Sequence, residues 1–237
     1  YTLLGVTSSL SVNPALYPAL PFDTVKDLAP VSQMYSRTSL LVVHASFPAS
    51  NWKEYVAYAR ANPGKVNFGT SGAGGIYHIG GAWLHSEIGA KVTFVHYKGT
   101  GPLLTDALGG TVDTFPPSVL MSMGPIKAGR LRPIANLGPE RSPFYPDLAT
   151  VAEQGVPGFD FSTWGGILAT GGTPPAIVNK LSNELAKIAK SPEVLKIAAT
   201  DGTVMIGSTP EAFRNLIVTE IARWKKVVKE NNIQLVE

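Results

Sequence analysis

Residues 68–84 read FGTSGAGGIYHIGGAWL, and the fold turns on how they are parsed. A short apolar strand ends at Phe68, a Gly/Ser/Thr loop follows, and an apolar segment of helical spacing begins at Ile76. Strand, glycine loop and helix together hold anions on backbone N–H groups, because a first helical turn has unpaired donors and a positive dipole end. A phosphate loop of the Gly-x4-Gly-Lys-Ser/Thr type is excluded: Gly69 and Gly74 have the spacing, but Gly75 and Ile76 stand where Lys and the hydroxyl belong. A dinucleotide fingerprint begins at Gly72 and Gly74 and fails at Tyr77, the place of its third glycine. What remains is the N–H groups of 71–76 with the hydroxyls of Thr70 and Ser71, a donor set that suits a carboxylate and needs no metal. The plain alternative is a tight strand–helix turn that binds nothing.

The next such pattern lies at 96–102, HYKGTGP, where Tyr97 and Thr100 offer hydroxyls and Lys98 a charge, or a solvated surface lysine. Two such loops at the same ends of neighbouring parallel strands point into one crevice, where open α/β sheets bind ligands.

Outward from these loops the pattern alternates. Strands are expected at 1–7, 30–35, 38–44, 66–69, 90–97, 111–115 and 131–137. Helices are expected over 52–61, capped by Ser50 or Asn51, over 76–87, over 102–110 with Pro102 at its start, and over 116–130. Such alternation predicts βαβ units and a parallel sheet. Residues 8–22 read as turn chemistry, and the Gly/Pro-rich stretch 138–175 as a connection between two bodies. Long amphipathic helices follow: 173–190, opened by a Thr cap and prolines, and 208–232, with a shorter helix at 192–199 and a strand at 203–206.

The 237 residues are 44% hydrophobic with a net charge of +3, enough for one large domain or two modest lobes. Lys and Arg are scattered, so nothing resembles a nucleic-acid-binding stripe. Without cysteine, disulfides, thiol catalysis and thiolate metal sites are excluded. No apolar run is long enough for a membrane helix. The chain opens on Tyr1 within a strand, which reads as a processed or truncated product with its signal peptide removed.

The four histidines (His44, His78, His85 and His96) do not make a metal site: His78 and His85 share a helix face but are two turns apart, and no His-Glu-x-x-His motif exists. His78 is expected to brace the glycine loop or donate to a ligand. No nucleophile elbow or suggestive carboxylate pair is present. Trp164 in FSTWGG is core packing or a pocket wall.

The ordered segments YTLL, NPALYPALPFDTVKDLAPVSQM, YARANPGKVNFGTSGAGGIYH, VHYKGTGPLLTDALGGTVD, IKAGRLRPIA, PDLATVAEQGVPGF and GTPPAIVNKLSNEL resemble the extracytoplasmic solute receptors of tripartite tricarboxylate transporters, the Bug or TctC-like family. The resemblance spans essentially the whole chain. It implies a two-lobed α/β periplasmic binding protein-like (type II) fold, joined by two crossovers and closing on a carboxylated solute, with residues 1–37 plus 160–237 in lobe 1 and 38–159 in lobe 2. By position, the ligand-binding motifs fall on Thr70, Ser71, Gly72, Gly74, Gly75 and His78; on Tyr97, Lys98, Gly99 and Thr100; and on the polar turn Thr7, Ser8 and Ser9. The family commonly has Ser where Gly75 stands. The strand end Val112–Pro116 puts a proline near an acid that the family often has and that can read a substrate amino group, so Pro116 argues against an amino-acid ligand.

The resemblance further implies a non-enzymatic periplasmic receptor, without cofactor or metal, that captures a di- or tricarboxylate or aromatic acid for membrane permease subunits. A periplasmic sensor is the alternative, and a hydrolase or transferase using the same crevice a further one. Family members carry an additional N-terminal segment, so lobe 1 is expected to be truncated and to expose a sheet edge. Either the native precursor is longer or two copies pair through that edge as a homodimer.

Overall fold

The computed structural model describes residues 2–17, 19–200 and 202–233. Tyr1, at the head of the first expected strand, and 234–237, at the end of the lobe 1 span, lie outside them. In chain order the elements are β1 (Leu3–Thr7), α1 (Ser9–Leu16), β2 (Leu28–Arg37), β3 (Leu40–His44), α2 (Trp52–Ala61), β4 (Asn67–Thr70), α3 (Ile76–Glu87), β5 (Thr93–His96), α4 (Thr100–Gly109), β6 (Thr114–Phe115), α5 (Val119–Lys127), β7 (Leu131–Asn136), β8 (Thr163–Thr170), α6 (Pro175–Ala189), α7 (Pro192–Ala198), β9 (Thr203–Met205) and α8 (Pro210–Glu230). They form two compact units: Thr38–Ser162, and the described residues up to Arg37 with those from Thr163 onward. The chain passes between units at 37/38 and at 162/163; the sequence expectation draws the second passage at 159/160.

The Thr38–Ser162 unit is built on a five-stranded sheet in the order β5-β4-β6-β3-β7. Strands β5, β4 and β6 run parallel, as the alternation of strands and helices requires. The parallel sheet expected from the sequence carries one exception, β3, which is antiparallel to both β6 and β7. Four of the five β3 residues are buried, which is what a Leu/Val run in mid-sheet signals. Leu40, Val42, Leu103, Phe115 and Val119 meet in one core. Asn51 caps α2 by accepting the Glu54 N–H at 3.0 Å, while the Glu54 carboxylate accepts the Ser50 N–H at 2.7 Å, so the first turn and the residue that leads into it hold each other, a capping box shifted by one residue.

The other unit has a four-stranded sheet, β1-β8-β2-β9, antiparallel at every pairing. Here three expectations are corrected. The stretch taken for connection contains β8, the strand between β1 and β2. The turn-like SLSVNPAL is helix α1, which buries Leu10, Ser11 and Val12. Nor does a threonine cap α6: its N-cap is Pro174, and the Thr173 hydroxyl donates instead to the Thr170 carbonyl at 2.7 Å. Leu3 and Leu4 on the edge strand β1 are 49% and 47% exposed. Leu10, Trp164, Leu168, Phe213 and Ile217 form the core.

Among the described residues no helix is long and apolar enough to cross a membrane, and no group of three His, Cys, Asp or Glu side chains is placed to hold a metal ion.

Candidate functional site

Parallel pairing fixes where the two glycine-containing loops lie. Thr70 stands opposite His96 at the ends of β4 and β5, so 71–75 and 97–99 leave the same edge of the sheet. They are tied together: the Tyr97 N–H donates to the Thr70 carbonyl at 2.9 Å, and the Gly99 N–H to the Ser71 carbonyl at 3.1 Å. Gly74 at φ 70° and Gly99 at φ 106° turn the chain into α3 and α4, a conformation that costs glycine little and other residues more.

Donors remain in the first loop. A turn closes between the Gly75 N–H and Gly72 carbonyl at 3.3 Å, and the Gly75 carbonyl accepts from His78 and Ile79. The N–H groups of Ser71, Gly72, Ala73 and Ile76 make no bond among the described residues, and the half-buried Ser71 hydroxyl likewise. These donors sit at the positive end of α3, an arrangement that can hold a carboxylate through directed hydrogen bonds. Lys98 is exposed beside them and makes no ion pair among the described residues. Thr100, half-buried, is the first residue of α4, with Gly99 as its N-cap.

His78 braces the loop. Its Nδ1 accepts the Gly74 N–H at 3.1 Å, and its ring packs edge-on against His96 and Phe94, with centroids 4.6 and 4.7 Å away. Burial, together with the nearby His96, pushes its pKa down to about 4. His78 is therefore a neutral acceptor at neutral pH.

Two hydroxyls expected to face a ligand do not. Thr70 is fully buried; its Oγ1 lies 2.7 Å from His96 Nδ1 and 3.3 Å from the Gly72 carbonyl. The Tyr97 hydroxyl donates to Asp106 Oδ2 at 2.9 Å, and burial with that carboxylate raises its pKa to about 12. With its one proton committed to Asp106, Tyr97 cannot donate to an anion. Both residues position the loops.

Thr7, Ser8, Ser9 and Trp164 belong to the other unit. Thr7 is exposed and Ser9 half-buried, but Ser8 is buried, its N–H donating to the Trp164 carbonyl at 3.0 Å. Trp164 takes the core-packing role rather than that of a pocket wall. It is 3% exposed, stands perpendicular to the Phe213 ring, and donates its indole N–H to Glu220 at 2.9 Å.

Sequence reasoning missed two features at the sheet edge of the loops. His96, the exposed last residue of β5, figures in the sequence only as a candidate metal ligand. The turn Pro116–Ser118 follows β6, parallel to β4, and repeats the strand–turn–helix pattern; Ser118 caps α5 by accepting the Met121 N–H at 3.3 Å. The signal is present in Pro116–Pro117–Ser118, but the expected helix over 116–130 starts inside that turn. Asp113 lies at the opposite end of β6, where its carboxylate accepts the Asn67 N–H at 2.7 Å.

Comparison with known proteins identifies the family. The model for the tripartite tricarboxylate transporter family receptor, TctC, matches residues 1–233. Protein BugT of Bordetella pertussis is 32% identical, over 99% of this chain and 73% of that protein. Among solved structures, R. palustris Rpa4515 with adipate is 30% identical, with a TM-score of 0.87 over 100% of this chain and 79% of that one. MatC from Rhodopseudomonas palustris with bound malate is 27% identical, with a TM-score of 0.82 over 96% and 79%. A family match over nearly the full length and two such structural likenesses leave one assignment: the chain belongs to the receptors of the tripartite tricarboxylate transporter family, and its fold is that of their periplasmic binding proteins.

Proposed function

We propose that this protein is a periplasmic receptor that captures a small carboxylate on the loops 71–76 and 97–100, leaves it chemically unchanged, and delivers it to the membrane subunits of a tripartite transporter. The reading is carried by one observation: two loops tied through Gly99 and Ser71 present unpaired N–H groups at the N-terminus of α3. Support also comes from the relatives, whose solved structures hold adipate and malate. Adipate and malate are both dicarboxylates, the ligand class we favour here. Micromolar capture needs only about 8 kcal/mol net, within reach of a few charge-assisted hydrogen bonds and partial burial of the solute.

A thermal-shift panel of succinate, malate, adipate, citrate and benzoate tests this, with calorimetry on each hit. A ligand that binds only the folded form raises the melting temperature, with a stabilisation that grows as the logarithm of its concentration over Kd. Receptor function predicts saturable binding without turnover, lost when the Ser71 donor is removed in Ser71→Pro. Binding that survives this change clears the loop of its role, and product formed at catalytic rates overturns the receptor reading.

A further inference from the structure

The loop donors are backbone groups and cannot change charge; the imidazole between the loops can. His96 ends β5, directly before the loop whose Gly99 reaches Ser71, and its side chain is exposed. Its Nδ1 is held 2.7 Å from the hydroxyl of the fully buried Thr70. The two nitrogens of an imidazole point to nearly opposite sides of the ring. With Nδ1 turned towards a buried partner, Nε2 is turned away from it, to the open side.

We propose that His96 is a specificity-determining residue of this site: its Nε2–H donates to the captured carboxylate, and its ring takes up a proton as the acid binds. The proposal rests on the carboxylate-capture reading above.

Thr70 makes the change possible without leaving a buried polar atom stranded. While His96 is neutral, the Thr70 hydroxyl donates to Nδ1, which places the ring proton on Nε2. When His96 is protonated, Nδ1–H becomes the donor to Thr70 Oγ1. The threonine hydrogen then turns to the Gly72 carbonyl, already 3.3 Å away. The added proton comes from solvent, the carboxylate stays ionised, and every donor keeps an acceptor. The same turn ties the charge state of His96 to the glycine loop through Gly72.

The ionisable groups on the elements around it are Tyr77, His78, His85 and Glu87 on α3, Asp106 on α4, and Tyr97 and Lys98 in the loop that follows it. His78 is the one in ring contact and is held neutral; Asp106 is engaged by the Tyr97 hydroxyl. Partial burial keeps His96 below the ordinary histidine range without a ligand. A carboxylate placed at Nε2 favours the charged form and raises it. Proton uptake therefore accompanies binding, and affinity rises as pH falls from 8 towards 6.

Calorimetry with each panel acid that raises the melting temperature tests this, at pH 7 in phosphate and in Tris, whose ionisation enthalpies differ. Wild type is expected to show proton uptake and tighter binding at pH 6 than at pH 8. His96→Gln keeps an amide donor but cannot titrate, so it should bind with no uptake beyond the background and a flat pH profile. His96→Ala, at an exposed position, should lose about ten- to a hundredfold in affinity, the worth of a charge-assisted hydrogen bond. Unchanged proton uptake in His96→Gln, or unchanged affinity in His96→Ala, overturns the role of His96 while leaving carboxylate capture standing. If no panel acid binds the wild type, capture itself fails and the role of His96 falls with it.

Discussion

The Nδ1 of His78 accepts the N–H of Gly74 four residues upstream, at 3.1 Å, so the glycine loop is latched to the first turn of the helix that follows it. The latch needs an acceptor on the ring edge facing Gly74, not a charge. His78→Leu removes the acceptor and should weaken carboxylate binding about tenfold by releasing a loop that must then be ordered on binding. His78→Asn, whose Oδ1 can take the place of Nδ1, should retain most of the affinity. Calorimetry on the two variants checks this; equal losses in both would mean that ring packing against Phe94 and His96 is what matters.

Acid should destabilise the Thr38–Ser162 unit before it titrates ordinary carboxylates. His85 is buried on α3, with Nδ1 2.7 Å from the Gly81 carbonyl and Nε2 2.7 Å from the Tyr55 hydroxyl. Burial pushes its pKa down to about 4, as for His78. Both histidines are neutral when folded and titrate near pH 6.5 when unfolded. Between 6.5 and 4 the unfolded chain therefore binds more protons, and stability falls with pH through that window. At pH 5 each contributes a loss of up to about 2 kcal/mol relative to pH 7.5. Urea unfolding at the two pH values measures it, and His85→Gln should shrink the difference by about half.

How much of this was legible in the sequence depended on whether burial and periodicity agreed. The 76–87 helix and the β4 and β5 strands were readable because apolar spacing and glycine placement pointed one way. Strand β8 was not, and the reason is local. A Cβ on Gly165 would come within 2.3 Å of the Tyr35 ring, and one on Gly166 within 2.4 Å of Phe213. Close packing demands glycine there, yet WGG reads as a turn. Helix α1 was hidden in the same way by Asn13–Pro14, a turn signal overridden by burial of Leu10 and Val12. At the site, the pairing of the two loops was expected from strand–loop–helix repetition. The committed hydroxyls of Thr70 and Tyr97 were not, since their partners His96 and Asp106 meet them only through strand register and helix docking.

The anion-holding role of the α3 N-terminus can be tested by deleting one donor without breaking the helix. Ile76 is the first residue of α3, and proline is well tolerated there because its missing N–H has no partner within the helix. Gly75 has φ −70° and ψ 166°, the extended conformation that a following proline favours. Ile76→Pro should therefore fold and melt within a few degrees of Ile76→Ala while binding the carboxylate about tenfold more weakly. Equal affinity in the two variants would show that this N–H does not touch the ligand.

Trp164 gives a prediction of the opposite kind, because its polar tip is spent inside its own unit. Glu220 on α8 is 5% exposed and accepts from Trp164 Nε1 at 2.9 Å, Ser11 Oγ at 3.0 Å and Trp224 Nε1 at 3.3 Å, and it pairs with Arg223. One carboxylate thus joins α1, β8 and α8. Glu220→Ala takes the carboxylate away from the buried Trp164 indole N–H and breaks the pair with the half-buried Arg223, and should cost about 3–5 kcal/mol of stability, the usual loss when one member of a buried pair is removed. Glu220→Gln keeps one acceptor oxygen and should cost less. Trp164→Phe removes a donor but leaves the carboxylate its other partners, so its cost should be about 1–3 kcal/mol. In urea unfolding these losses should order as Ala, then Gln and Phe. Carboxylate affinity, measured well below the unfolding midpoint, should stay within about twofold of wild type in Trp164→Phe, since the indole N–H that a ligand could use is already donated to Glu220; a tenfold loss there without loss of stability would return Trp164 to the binding site.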